Sequence, residues 1–499
     1  MQPIIAAMAG RARFFRPSPR HAGWRAAWPR LLLWLWLCLP WGTLAQAKAP
    51  AQQAALPAAV DEALARARVP LDAVAVLVAP VDGERRPRLA HRAAVPMNPA
   101  SLMKLVTTVV ALDRLGVAWR WSTPIYLDGP VRDGVLQGSL YIRGRGDPKL
   151  VSERLWLALR RVQGLGVRQI AGDIVIDRSA FESVTHDPAA FDGEPLKPYN
   201  AGPDALLINY KSLVLHFNPD RAAGVARVHA EPPLAGLQLQ ATVPLAGADC
   251  SDWRAALKAE FPDASRIRFA GSYAAACGER AWPLASADPA GFAARAIAGM
   301  WTSVGGQLAG QVREGRVPAG LEPALEIESP PLAEVVRDIN KFSNNVMAQQ
   351  LLLTLSLQQR GSASFDASRE IVQRWWQERI PDADAPLIAN GSGLSRGERI
   401  SALALTRLLQ WSWGSALMPE LLASLPLGGV DGTLKRSRMR SGAAHLKTGS
   451  LRDVAGVAGY VLGASGQRHV VVVMINHPNA QAARAAIDAL VDWAARDQR

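Results

Sequence analysis

Three short clusters carry the residue types of acyl transfer. In Ser101-Leu102-Met103-Lys104 a hydroxyl and an amine stand three residues apart. On a helix that spacing shares one face, so an uncharged lysine can take the proton of an attacking serine. Ser343-Asn344-Asn345 precedes the apolar run Val346, Met347, Leu351 and Leu352. Helix capping alone would account for Ser and Asn there. Lys447-Thr448-Gly449, followed by Ser450, is expected at a strand edge. Its cation and hydroxyl suit a carboxylate, and its glycine admits close approach of a backbone. Each cluster by itself also fits a bland role: a solvated pair, a cap, a strand end.

Lysine usage ties the clusters together. The chain has nine lysines against 47 arginines, yet lysine occupies both Lys104 and Lys447. Arginine stays protonated and cannot serve as a base.

The elements that must position these groups follow from periodicity. Asn98 and Pro99 open a helix whose apolar positions are Leu102, Leu105, Val106, Val109 and Leu112, with Leu115-Gly116 at its end. Ser101 then falls in the first turn, where free N–H groups favour an oxyanion. A helix is predicted over 60–67 and a strand over 73–81, with a returning strand over 88–92. Strands are predicted over 454–462 and 468–475, and a closing helix over 481–496. Between 123 and 284 the texture changes to short β-like pieces (136–143, 173–177, 213–218, 237–243) broken by Gly, Pro and Asp. An α/β (α+β) catalytic domain over 48–122 and 285–499, interrupted by a β-rich insertion over 123–284, is the expected organisation.

The order and spacing of the clusters resemble the penicillin-binding proteins and serine β-lactamases. With 242 residues between Ser101 and Ser343, the chain resembles the class C low-molecular-mass members, the D-alanyl-D-alanine carboxypeptidase/endopeptidase family. Gly144-Arg145-Gly146-Asp147-Pro148, Asn390-Gly391-Ser392-Gly393-Leu394-Ser395-Arg396 and Asp431-Gly432-Thr433-Leu434 are similar to that family as well. Asn344 stands where Asp is common. The resemblance implies a transpeptidase-like antiparallel sheet flanked by helices, with Ser101 as nucleophile, Lys104 as base and Ser343 as proton relay. Asn345 would orient Lys104 or hold the substrate amide. Lys447, Thr448, Gly449 and Ser450 would bind the substrate carboxylate, and the N–H groups of Ser101 and Ser450 would form the oxyanion hole. Peptidoglycan stem peptides and β-lactams are the implied partners, and no cofactor is implied. The alternatives are a β-lactamase or esterase of the same fold, and a non-catalytic penicillin- or peptidoglycan-binding sensor. Ser392 lacks the Gly-x-Ser-x-Gly spacing of a hydrolase elbow and is read as a loop residue.

Composition narrows the rest. The net charge of +13 falls to +7 once residues 1–47, with six arginines and no Lys, Asp or Glu, are set aside. No basic cluster or phosphate-binding glycine loop indicates a nucleic-acid or nucleotide partner. Arginines up to Arg30, the apolar run 31–41 and Ala45-Gln46-Ala47 read as a signal peptide with cleavage after Ala47. An exported, periplasmic protein is expected; a retained anchor, with peripheral membrane association, is the alternative. Two cysteines remain, Cys250 and Cys277. A disulfide between them suits an oxidising compartment, and two buried thiols are the other reading. None of the eight histidines falls in a His-x-x-x-His pattern, so no metal is expected.

Overall fold

The computed structural model describes residues 55–497, apart from 84, 183–185 and 440–441. The expected signal peptide lies outside the described residues. A five-stranded antiparallel sheet runs in the order Leu89–His91, Val74–Pro80, Arg468–Asn476, Val454–Leu462, Ala444–Leu451. Its inner strands read as continuous β-branched and apolar runs because both faces are covered. Alternate residues of one strand serve different cores. Ala75 and Leu77 face the helices Met103–Leu115, Leu332–Phe342, Asn345–Arg360 and Ala402–Trp413. Val74, Val76 and Val78 face the first helix, Ala58–Arg66, and the last, Arg484–Ala495. These two helices, far apart in sequence, therefore close one face together.

The strand Ala444–Leu451 is the sheet's outer edge. It pairs with Val454–Leu462 through the register Lys447↔Ala458 and Gly449↔Gly456; on its other side residues 444–446 bond to the 426–428 segment, through Gly428 N–H to the Ala444 carbonyl and Leu446 N–H to the Pro426 carbonyl.

A separate core gathers Ile125 through Ile327. This buried cluster runs on to Ile327, past the boundary of 285 expected from the sequence. The physical reason is pairing across the entry and exit: Leu325–Glu328 lies antiparallel to Ser122–Asp128 with Ile125 opposite Leu325. This inserted unit also contains two helices, Ser152–Gly164 and Phe292–Ser303, whose apolar faces fill its core. The first was masked in the sequence by the Gly- and Pro-rich stretches around it. A second five-stranded sheet includes Ser212–Asp220, Val225–Glu231 and Arg280–Ala285. Cys250 and Cys277 are bonded in this unit, with Cα atoms 4.8 Å apart.

Candidate active site

Ser101 does not begin an α-helix. It sits in a 3-10 turn, Ala100–Leu102, and the α-helix starts at Met103. Asn98 still organises the entry, but from further back. Its Oδ1 accepts from Ala100 N–H at 2.9 Å and its Nδ2 donates to the Ser395 carbonyl at 3.0 Å. Ala100 has φ +47°, a left-handed conformation that costs of order 1–3 kcal/mol in a residue other than glycine. That kink aims Ser101 outward into the cleft while Leu102 and Met103 are buried.

Lys104 is fully buried and its Nζ donates to three acceptors: Ser101 Oγ at 2.9 Å, Asn345 Oδ1 at 2.6 Å and the Ser392 carbonyl. Burial drives its pKa well below the ordinary lysine value, and the nearby Lys447 cation lowers it further, against an opposing pull from Glu398. Ser343 is the first of the two residues between the helices Leu332–Phe342 and Asn345–Arg360, and has φ +56°. Asn344 caps the second helix by accepting from Met347 N–H at 3.1 Å. The capping reading of that triplet is thus correct for Asn344, while Ser343 and Asn345 turn toward the two lysines.

Lys447, also fully buried, donates to Ser343 Oγ at 2.8 Å and to the Thr448 carbonyl at 2.9 Å. Desolvation pushes it down to about 7. Thr448 Oγ1 lies 2.8 Å from Thr433 Oγ1. Ser450 Oγ lies 3.1 Å from Arg484 Nη2 and 3.2 Å from Gln481 Nε2, which donate to it. Gly449 is required by packing against the turn that carries Ser101. A Cβ there would stand 2.5 Å from the Pro99 carbonyl oxygen and 3.0 Å from Leu102 Cγ.

Ser101, Ser343, Thr448, Gly449 and Ser450 line one open cleft of about 470 Å³, together with Thr433, Arg436, Arg484 and Asp488. The three distant clusters converge, each on a different element. The 390–396 segment packs behind the cleft, against the Ser101 turn and Lys104. Ser392 is buried, as a loop residue, and contributes its carbonyl to Lys104. Gly393, at φ +82°, has room for no side chain, since a Cβ would meet the Ala100 carbonyl oxygen at 1.9 Å.

Sequence reasoning missed several groups. Glu398 is fully buried, and one carboxylate oxygen accepts from the N–H groups of Ala389, Asn390 and Gly391, each at 3.0 Å. Its other oxygen has no hydrogen-bond partner among the described residues. Lys341 holds Asp431 at 2.6 Å, which fixes the turn that brings Thr433 to Thr448. Tyr199, from the inserted unit, accepts from Asn345 Nδ2 through its carbonyl at 3.0 Å. Only Asp431 and Thr433 stood in a stretch that the sequence singled out.

A buried amine beside a hydroxyl, with a second hydroxyl–amine pair on the facing side, is an arrangement that can support serine–lysine acyl transfer, here on an antiparallel sheet with helical layers. The chain belongs to the D-Ala-D-Ala carboxypeptidase 3 (S13) family, whose model matches residues 56–497. It is 30% identical over 405 residues to a D-alanyl-D-alanine carboxypeptidase of Actinomadura, covering 76% of this chain and 73% of that one. It is 26% identical over 396 residues to the D-alanyl-D-alanine carboxypeptidase DacB of Haemophilus influenzae, covering 76% and 80%. The crystal structure of penicillin binding protein 4 (dacB) from Haemophilus influenzae shares the fold, with a TM-score of 0.69 and 22% identity, covering 87% of this chain and 99% of that one.

Proposed function

We propose that this chain is a serine-type D-alanyl-D-alanine carboxypeptidase that cleaves peptidoglycan stem peptides through an acyl-enzyme and is acylated by β-lactams. The observation that carries the reading is the Lys104 amine, buried, held below its usual pKa and 2.9 Å from Ser101 Oγ. Family membership supports the substrate class.

Neutral Lys104 takes the Ser101 proton as Oγ attacks the carbonyl of the penultimate D-alanine, and the carbonyl oxygen becomes an oxyanion. The edge position of Ala444–Leu451 supports a role for the Ser450 N–H, with that of Ser101, in holding this oxyanion. The substrate's terminal carboxylate meets Thr448, Ser450 and the charge of Lys447. The C–N bond breaks as Ser343 gives its proton to the departing D-alanine nitrogen, and the Lys447 ammonium replaces it. The proton held by Lys104 then returns to Lys447, which restores both groups; water attacks the ester as neutral Lys104 accepts its proton, and that proton passes to the departing Ser101 Oγ. Asn345 restrains Lys104 against rotation through its 2.6 Å contact. Residues 1–47 direct the chain out of the cytoplasm, to the compartment that holds this substrate.

Lys104→Arg tests the reading. A general base contributes about 10²–10⁴ in rate, so labelling of Ser101 by a fluorescent penicillin should slow by that factor. Near-normal labelling would remove Lys104 as the base. Release of free D-alanine from a purified stem pentapeptide, absent in Ser101→Ala, tests the substrate class. Rapid penicillin turnover instead of a lasting adduct would favour a β-lactamase.

A further inference from the structure

The inserted unit carries a cluster that the reaction above does not use. His216 and His229 are directly opposed in the antiparallel pair Ser212–Asp220 and Val225–Glu231. Their rings stack with centroids 4.8 Å apart and planes 8° off parallel. Glu231 lies two residues beyond His229 on the same strand, and so on the same face. Its carboxylate spans both imidazoles, with Oε2 3.4 Å from His216 Nε2 and Oε1 3.8 Å from His229 Nε2.

We propose that His216, His229 and Glu231 form a site for a divalent transition metal, with zinc the fitting ion, that ties these two strands together. Each side chain offers one ligand atom, and the three lie within 4.8 Å of one another. Zinc bonds of about 2.0–2.1 Å at tetrahedral angles separate neighbouring ligand atoms by about 3.4 Å. The carboxylate–His216 distance already matches this, and small χ rotations of His229 and Glu231 close the rest. Two imidazoles select zinc over the oxygen-seeking magnesium and calcium. The residue opposite His216 on the other neighbouring strand is Ala281, which is exposed and too small to cover the cluster. The Glu231 and His229 side chains are 58% and 53% accessible, so water can fill the remaining coordination position. The sheet's other face, with Leu215, Phe217 and Val228, belongs to the buried core, which fixes the strands that present the ligands. Helical metal spacings could not reveal the site, because its third ligand comes from strand register.

The test uses the full chain without an added histidine tag. Zinc is titrated against a chromophoric chelator for the wild type, His229→Ala and Glu231→Gln, and magnesium is added in excess as a competitor. Wild type should hold one zinc more than His229→Ala, and magnesium should not displace it. Cobalt should give a visible absorption band that both variants lose. Circular dichroism shows that the variants are folded, and penicillin acylation at Ser101 should be equal in all three. The surface Glu231→Gln carries the test if His229→Ala misfolds. Equal zinc uptake by wild type and a folded variant would overturn the site, whatever becomes of the peptidase activity.

Discussion

Lys447 is placed to make function cost stability, and replacing it by methionine exposes the size of that cost. The ammonium is fully buried, and desolvation lowers its pKa from 10.5 to about 7. That fall corresponds to about 4–5 kcal/mol at 1.36 kcal/mol per unit. The unfolded chain keeps the ordinary value, so it binds more protons than the folded chain between pH 7 and 10.5. Wild-type stability therefore rises with pH across that window, and the full deficit remains below it. At pH 7, where the folded group is half protonated, the deficit is about 4 kcal/mol. Methionine fills a similar volume without charge. It gives up the bonds to Ser343 Oγ and the Thr448 carbonyl, worth about 1 kcal/mol each. Lys447→Met should then be about 2 kcal/mol more stable than wild type at pH 7, and less stable near pH 10.5. Urea unfolding followed by tryptophan fluorescence, to which the buried Trp375 and Trp376 contribute, measures the difference. Penicillin acylation should fall at the same time, through the lost carboxylate contact and a raised Lys104 pKa. A variant less stable at pH 7, or a stability difference that does not change with pH, would refute the desolvation argument.

Other consequences are equally direct. The pH dependence of acylation should be bell-shaped: it rises as Lys104 loses its proton and falls above about pH 7 as Lys447 loses the charge that meets the substrate carboxylate. A single rising limb would remove Lys447 from carboxylate binding. Gly449→Ala forces its Cβ to 2.5 Å from the Pro99 carbonyl, so the edge strand and the Ser101 turn must part. Destabilisation of about 1–3 kcal/mol and a loss in acylation of about 10² are expected; thermal melting and labelling rates check them. Glu398→Gln removes the charge that opposes the fall of the Lys104 pKa. The rising limb should move to lower pH, whereas a purely structural role would lower the rate without moving the limb.

The sheet and its flanking helices were legible because burial on both faces writes itself as long apolar runs, as at Val470–Ile475. Strands over 454–462 and 468–476 lie within a residue of their expected ends. Ser101 and Lys104 were legible as a pair because their spacing is local. Their start was misplaced, since the strained Ala100 inserts a 3-10 turn that no propensity reports. The strand Leu325–Glu328 was not legible because it owes its pairing to a partner two hundred residues earlier. Glu398 was invisible for a different reason. A glutamate in a polar loop looks solvated, and only the fold turns three loop N–H groups inward onto it.

Glu398 also explains how the site tolerates two buried amines. Lys104 and Lys447 each lie in a desolvated position, and each charge penalises the other when both are protonated. A carboxylate placed directly on Lys104 would neutralise that penalty and raise the pKa, which would leave the base protonated at neutral pH. Glu398 instead spends one oxygen on the backbone of 389–391 and acts on Lys104 only through space. The Ser392 carbonyl and the Asn345 side-chain oxygen, both uncharged, make the direct contacts. Neutral acceptors hold the amine in position with much less stabilisation of its charged form than a carboxylate would give. Position and basicity are thereby set by different groups, and the arrangement requires an amine that can lose its proton, which explains lysine at both sites in an arginine-rich chain.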